Sequence, residues 1–309
     1  MPVTAMLLLI TACSRQAPST FKPEPLQHGY KGIVNIAVDA GLEPIIKQQV
    51  EVFEYAYDSV DVVPLYVNEK EAIAAFKSRK TSLLILSRNL DKAERKEWEE
   101  RDTLFIRDME VAYDAVALVG NKKYNDAQLN MAQLKSYFGN TAGSGPKLVF
   151  DDKNSSCVNE VLKALGHSEQ AVSANVYALH SAQEVIDYVE REENAIGFIP
   201  FGFVSDEDDD RVKALLDRVK ILSLRVKDKD GKEIRVSANQ SDIAVGLYPL
   251  RRTITAMERF TYEDNKEWRL ANFMYQERGA KIFLKAGLVP AKMPNREIIV
   301  NTGPLKANP

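Results

Sequence analysis

"IVNIAVDAGLEPIIKQQVEVFEYAYDSVDVVPLYV", residues 33–67, decides the fold. Ile33 to Val38 is a short apolar run rich in β-branched side chains, the pattern of a buried strand. Asp39-Ala40-Gly41 is turn chemistry, and Pro44 suits the first turn of a helix, where its missing N–H costs nothing. Ile45/Ile46, Gln49/Val50, Phe53 and Tyr57 then recur at helical spacing, and Val60 to Val67 is a second strand. Outward from this unit, Glu69 to Ser78 reads as a helix with Ala72, Ile73 and Phe76 inward, and Ser82 to Leu86 as a third strand. Strand and helix in strict alternation specify parallel βαβ units with right-handed crossovers.

Further along, Val111–Val119 reads as a strand, and a short helix over Leu129–Phe138 follows a polar stretch. A second βαβ run starts with strand 147–150 and the helix over 154–165. It continues with helix Ala182–Val189 and strand Ala195–Ile199. Val219–Val226 alternates as a strand does, and Asp230-Gly231 predicts a hairpin turn to Ile234–Val236. Ile243–Tyr248 reads as a returning strand, followed by helices Trp268–Tyr275 and Gly279–Lys285. Two βαβ runs and a C-terminal return imply an α/β protein of two lobes, with a cleft where strand carboxyl ends and helix N-termini face each other.

Composition excludes several classes. The 309 residues are 45% apolar and 28% charged, with a net charge of −3, so a basic footprint for nucleic acid is missing. No apolar run reaches the roughly 18 residues that a membrane helix needs. The acidic run Asp206–Asp210 lacks the spaced ligands and glycine of a calcium loop and reads as solvated. His28, His167 and His180 form no metal-ligand spacing, and nucleophile-elbow and phosphate-loop motifs are missing. The expectation is therefore no cofactor, no metal and no catalytic site.

The N-terminus carries its own signal. Ala5 to Ala12 (AMLLLITA) is apolar and ends in small residues, and Ile10-Thr11-Ala12-Cys13 resembles the bacterial lipobox. Residues 1–5 hold no Lys or Arg, a departure from the usual charged leader. The reading is a lipoprotein signal over 1–13, with Cys13 lipidated. A flexible linker follows over 14–31, containing Pro18, Pro23, Pro25 and Gly29.

One junction bears on function. Asn154, Ser155, Ser156 and Cys157 lie between a strand and a helix whose stripe is Val158, Val161, Leu162 and Leu165. Such residues cap a helix. The same unpaired N–H groups and hydroxyls can also hold an anion. At this level both readings stand.

Several stretches together resemble the phosphate-type substrate-binding proteins of bacterial ABC importers, in the periplasmic-binding-protein superfamily. They are Ser87 to Glu94 (SRNLDKAE), Ala112 to Val119 (AYDAVALV), Leu134 to Gly139 (LKSYFG), Phe150 to Cys157, Ala195 to Phe198 (AIGF), Tyr248 to Arg252 (YPLRR) and Arg278 to Pro290 (RGAKIFLKAGLVP). The resemblance covers residues 32–292. It implies a two-lobed type II fold, each lobe a mixed sheet flanked by helices: residues 32–118 with 243–309, and residues 119–242. It further implies an extracytoplasmic, lipid-anchored monomer of the cell envelope that holds a small oxyanion, phosphate or similar, for an ABC permease. Three loops would meet the ligand: Ala40, Gly41 and Leu42; Ser87 and Arg88; and Asn154, Ser155, Ser156 and Cys157.

The chain departs from the family pattern in three places. The second loop has no carboxylate, Asp151 and Asp152 stand where an Arg is usual, and Cys157 stands where a Thr is usual. Arg88 also has local carboxylate partners in Asp91 and Glu94. The alternative is a non-transport envelope lipoprotein that uses the same scaffold for sensing or protein interaction.

Overall fold

The computed structural model describes residues 31–139, 145–166, 174–260 and 265–295. The expected signal, Cys13 and most of the linker lie outside them. The first unit forms as its periodicity requires: β1 (Gly32–Asp39), α1 (Glu43–Ala56), β2 (Val60–Val67), α2 (Glu69–Lys77) and β3 (Leu83–Leu86). β1 lies between β2 and β3, parallel to both. α1 buries Ile45, Ile46, Val50 and Phe53 on one face of this sheet. α2 and α3 (Lys92–Glu100) bury Ala72, Phe76 and Trp98 on the other. Each of the larger apolar side chains contributes about 1.5–3 kcal/mol of burial, and Ala72 roughly 0.8 kcal/mol.

β4 (Ile106–Asn121) is the long strand that unites the molecule. After it come α4 (Met131–Phe138), β5 (Lys147–Phe150), α5 (Ser156–Leu165), β6 (Val176–Ala178), α6 (Ala182–Arg191), β7 (Ala195–Pro200) and α7 (Asp210–Leu216). The C-terminal part holds β8 (Val219–Ile221), β9 (Leu224–Lys227), β10 (Glu233–Val236), α8 (Gln240–Ala244), β11 (Arg251–Arg259), α9 (Lys266–Tyr275), α10 (Glu277–Lys285) and β12 (Val289–Pro290). The main sheet runs β2-β1-β3-β11-β4-β7-β5-β6, with β8 and β12 also paired to β4. β4 pairs with β11 through Ile106–Ala115 and with β7 through Val116–Gly120. One strand thus carries two half-sheets.

The second half-sheet is held by aromatic packing. Phe150 and Phe198 stack at 4.6 Å between ring centroids, and Phe138 meets both edge-on at about 6 Å. On the other side Gly197 lets α6 approach closely: a Cβ there would lie 2.5 Å from Val185 Cγ1 and 2.8 Å from Val119 Cγ2.

Two sequence expectations need correction. Ile243–Tyr248 is not a strand. Asn239 Oδ1 accepts from Asp242 N at 2.9 Å and opens the short helix α8, and Gly246 (φ +72°) turns the chain out of it. The returning strand is β11, whose Arg251-Arg252 start hides it from a hydropathy pattern. Likewise, Val219–Val226 is two strands. The break comes at Leu222-Ser223, where Ser223 N donates to Asp126 Oδ2 at 2.7 Å instead of continuing a ladder. No helix among the described residues is long and apolar enough to cross a membrane.

Candidate functional site

The three loops of the sequence analysis lie at the carboxyl ends of β1, β3 and β5. In the first, Asp39 ends β1 and its carboxylate opens a 3-10 turn, with Oδ1 accepting from Gly41 N at 3.3 Å. Gly41 faces the end of β7: a Cβ there would lie 2.8 Å from Pro200 Cγ, so a larger residue would push the half-sheets apart. Leu42 is buried in the core beneath.

In the second loop Ser87 is buried, and its Oγ donates to Asp39 Oδ2 at 2.6 Å. Arg88 points the other way. Its Nε donates to Glu69 Oε1 at 2.8 Å, and Nη1 and Nη2 hold the Glu94 carboxylate at 2.7 and 3.1 Å. Burial opposes its charge, but Glu94 and Glu69 outweigh burial and keep the guanidinium protonated. Of its two local candidates, Glu94 is the partner, and Glu69 adds a second.

In the third loop Ser155 is the N-cap of α5: its Oγ accepts from Val158 N at 3.4 Å. Asn154 is exposed, and its N–H donates to Asp152 Oδ1 at 2.7 Å. Ser156 and Cys157 are buried and turn inward to Arg252. Burial pushes the Cys157 thiol well up from its ordinary range, with Asp151 adding to the effect, which is the reverse of what a nucleophile needs.

Arg252 is the centre that sequence reasoning missed, although it lies in the quoted YPLRR stretch. It is directly opposite Asp114 in the β11–β4 register, and its Nη2 pairs with Asp114 Oδ2. Its Nη1 reaches Ser156 Oγ at 2.8 Å, Ser87 Oγ at 3.4 Å and Cys157 Sγ at 3.7 Å. Asp114 also accepts from Gly202 N at 3.2 Å. The available signal was a lone Asp inside the apolar run AYDAVALV, which demands a buried partner.

This cluster divides the space between the half-sheets. Ser87, Arg88 and Ser156 line a hollow of about 550 Å³ with Glu69, Glu94 and Lys163. Asn154 lines a neighbouring hollow of about 470 Å³ beside Lys70 and Lys153. Ala40, Gly41 and Ser155 line a third of about 330 Å³ on the opposite side, with Asp39, Glu43, Asp151, Asp152 and His180. There Asp151 Oδ1 is inaccessible and has no hydrogen-bond partner among the described residues. Burial raises the Asp151 carboxyl to about 6; the Ser155 hydroxyl and Arg252 pull it down, and nearby Asp39 adds to the rise. No group of three or more metal-ligating side chains is placed to hold a metal among the described residues.

A two-halved sheet bridged by one strand, with polar loops at the strand carboxyl ends, is the architecture of the periplasmic-binding-protein class. The chain belongs to that superfamily: the profile of the PBP superfamily domain matches residues 24–281. Three solved structures illustrate the likeness. A candidate phosphate ABC transporter substrate-binding protein from Clostridium perfringens, solved with bound phosphate, is 19% identical with a TM-score of 0.68, over 84% of this chain and 100% of that one. An ABC-type phosphate transport receptor from Vibrio cholerae is 17% identical with a TM-score of 0.64, over 83% and 99%. PstS from Borrelia burgdorferi is 17% identical with a TM-score of 0.55, over 85% and 100%. Identities this low carry the fold. No curated protein shows significant sequence similarity to the chain.

Proposed function

We propose that the protein is an extracytoplasmic solute-binding protein, anchored through lipidated Cys13, that closes two lobes on a small oxyanion for an ABC permease. The lobes are residues 32–118 with 243–309 and residues 119–242, hinged near Val119 and Asp242. The ligand enters between the half-sheets beside Ser87 and Ser156, with the Ala40–Leu42 loop across the Arg252 cluster from the hollow that those two serines line. The observation that carries this reading is Arg252, a buried guanidinium that touches Ser87 from one half-sheet and Ser156 from the other. Hydroxyls from two loops, the N-terminus of α5 and one cation are the donors that a desolvated oxyanion requires. The phosphate-binding relatives support the same ligand class.

Calorimetric titration with phosphate and sulfate, paired with small-angle scattering, tests the reading. Binding at millimolar concentration or tighter, with a smaller radius of gyration at saturation, is the expected result. No heat with any oxyanion overturns it. Fatty-acid labelling that survives Cys13→Ala would remove the anchor.

One observation favours a second reading. Arg88 is matched by Glu69 and Glu94, and Arg252 by Asp114, so both guanidinium groups already hold carboxylates. A scaffold that needs no solute to satisfy its cleft suits an envelope lipoprotein that senses or assembles with other proteins. A silent titration together with a discrete crosslinked envelope partner is the result that would favour it.

A further inference from the structure

We infer that Asp39 is a resident anion of the cleft, which an arriving oxyanion must displace, and that this residue sets the affinity of the site. The inference rests on the reading of the cleft as an oxyanion site. Two of the donors that such a ligand needs are already engaged by one carboxylate: Ser87 Oγ at 2.6 Å on Oδ2 and Gly41 N at 3.3 Å on Oδ1. These donors come from two different loops, so the Asp39 carboxylate spans them as two oxygens of a bound oxyanion would. Behind Ser87 stands Arg252, 3.4 Å from the same hydroxyl.

Capping alone does not call for a charge here. Ser or Asn at the head of the 3-10 turn would accept from Gly41 N equally well. Asp39, only 2% exposed, brings a negative charge beside Asp151, with the buried Asp114 and Arg252 in the same cluster. A divalent oxyanion entering beside it meets that charge in a poorly solvated place, where repulsion is strong. Asp39 also has somewhere to go: the residue borders the hollow of about 330 Å³ on the Asp151 side, so its side chain can swing off Ser87 without leaving the cleft. Ligand binding then becomes an exchange of one anion for another, and the native site works at high solute concentration.

Calorimetric titration of the full protein with sulfate, and separately with inorganic phosphate, tests this on three forms: wild type, Asp39→Asn and Asp39→Ser. Asparagine keeps the shape and the acceptor for Gly41 N but not the charge, while serine vacates the position. A melting curve on each form confirms folding. The expected result is millimolar binding by the wild type and binding about thirty-fold tighter in both variants, the scale of one charge-assisted hydrogen bond. Low-micromolar binding by the wild type overturns the resident-anion role and leaves the oxyanion reading standing. Folded variants that bind no tighter than a weakly binding wild type overturn it too. If none of the three forms binds either anion, the oxyanion reading itself fails, and the inference falls with it.

Discussion

Replacing Arg252 by alanine is expected to cost the fold about 3–5 kcal/mol, the usual penalty for breaking a buried ion pair from one side. The side chains of Arg252 and Asp114 are 1% and 0% exposed, and the two residues are register partners on neighbouring strands. Without the guanidinium, the Asp114 carboxylate keeps the Gly202 N–H but has no cation beside it among the described residues. Ser156 Oγ loses the donor that ties the third loop to β11. The midpoint of urea unfolding at neutral pH measures the loss. The double replacement Asp114→Leu/Arg252→Met should recover much of it, because the cost lies in the orphaned charge more than in the pair's net worth. A loss below about 1 kcal/mol in Arg252→Ala would mean that Asp114 finds other compensation.

The same pair marks how far the sequence could be read. The βαβαβ unit over residues 32–86 was legible because each element obeys one period and buries one face. The phosphate-binder resemblance rested on stretches such as AYDAVALV and YPLRR, and the superfamily match over 24–281 agrees with it. What the pattern could not convey is a charge buried by a partner far away in the chain. Nothing local to Arg251-Arg252 signals burial, yet Arg252 is interior because Asp114 lies opposite it across the sheet. Ile243, Val245, Leu247 and Tyr248 are apolar and read as a strand, whereas the Asn239 cap and the turn at Gly246 carry the local information that makes α8. Arg88 shows a middle case. Its partner Glu94 lies six residues on, within reach of local reasoning, while Glu69 arrives from the previous helix and becomes visible only in three dimensions. Asp39 shows the hardest one, because a capping carboxylate and an anion placed across two loops look the same in one dimension.

Asp151 provides a pH signature of its own. Burial raises its carboxyl from 3.8 to about 6 in the folded chain. Between those values the folded state binds more protons than the unfolded state, so this group makes stability fall as pH rises. Its penalty is absent below the unfolded value, grows from about pH 4 to about pH 6, and is fully present above. Allowing for partial exposure of the residue, the penalty amounts to about 2 kcal/mol at neutral pH. Asp151→Asn removes the titrating charge and retains an acceptor for the Ser155 hydroxyl. The variant should therefore be more stable than the wild type by about 2 kcal/mol at neutral pH and indistinguishable from it near pH 4. Urea unfolding of both proteins across that range gives the difference directly, since carboxylates elsewhere cancel in the subtraction. A gain that persists at pH 4 would place its origin in packing. A loss at neutral pH would mean that Arg252, one of the groups pulling the carboxyl down, outweighs burial and that Asp151 is stabilised in its charged form.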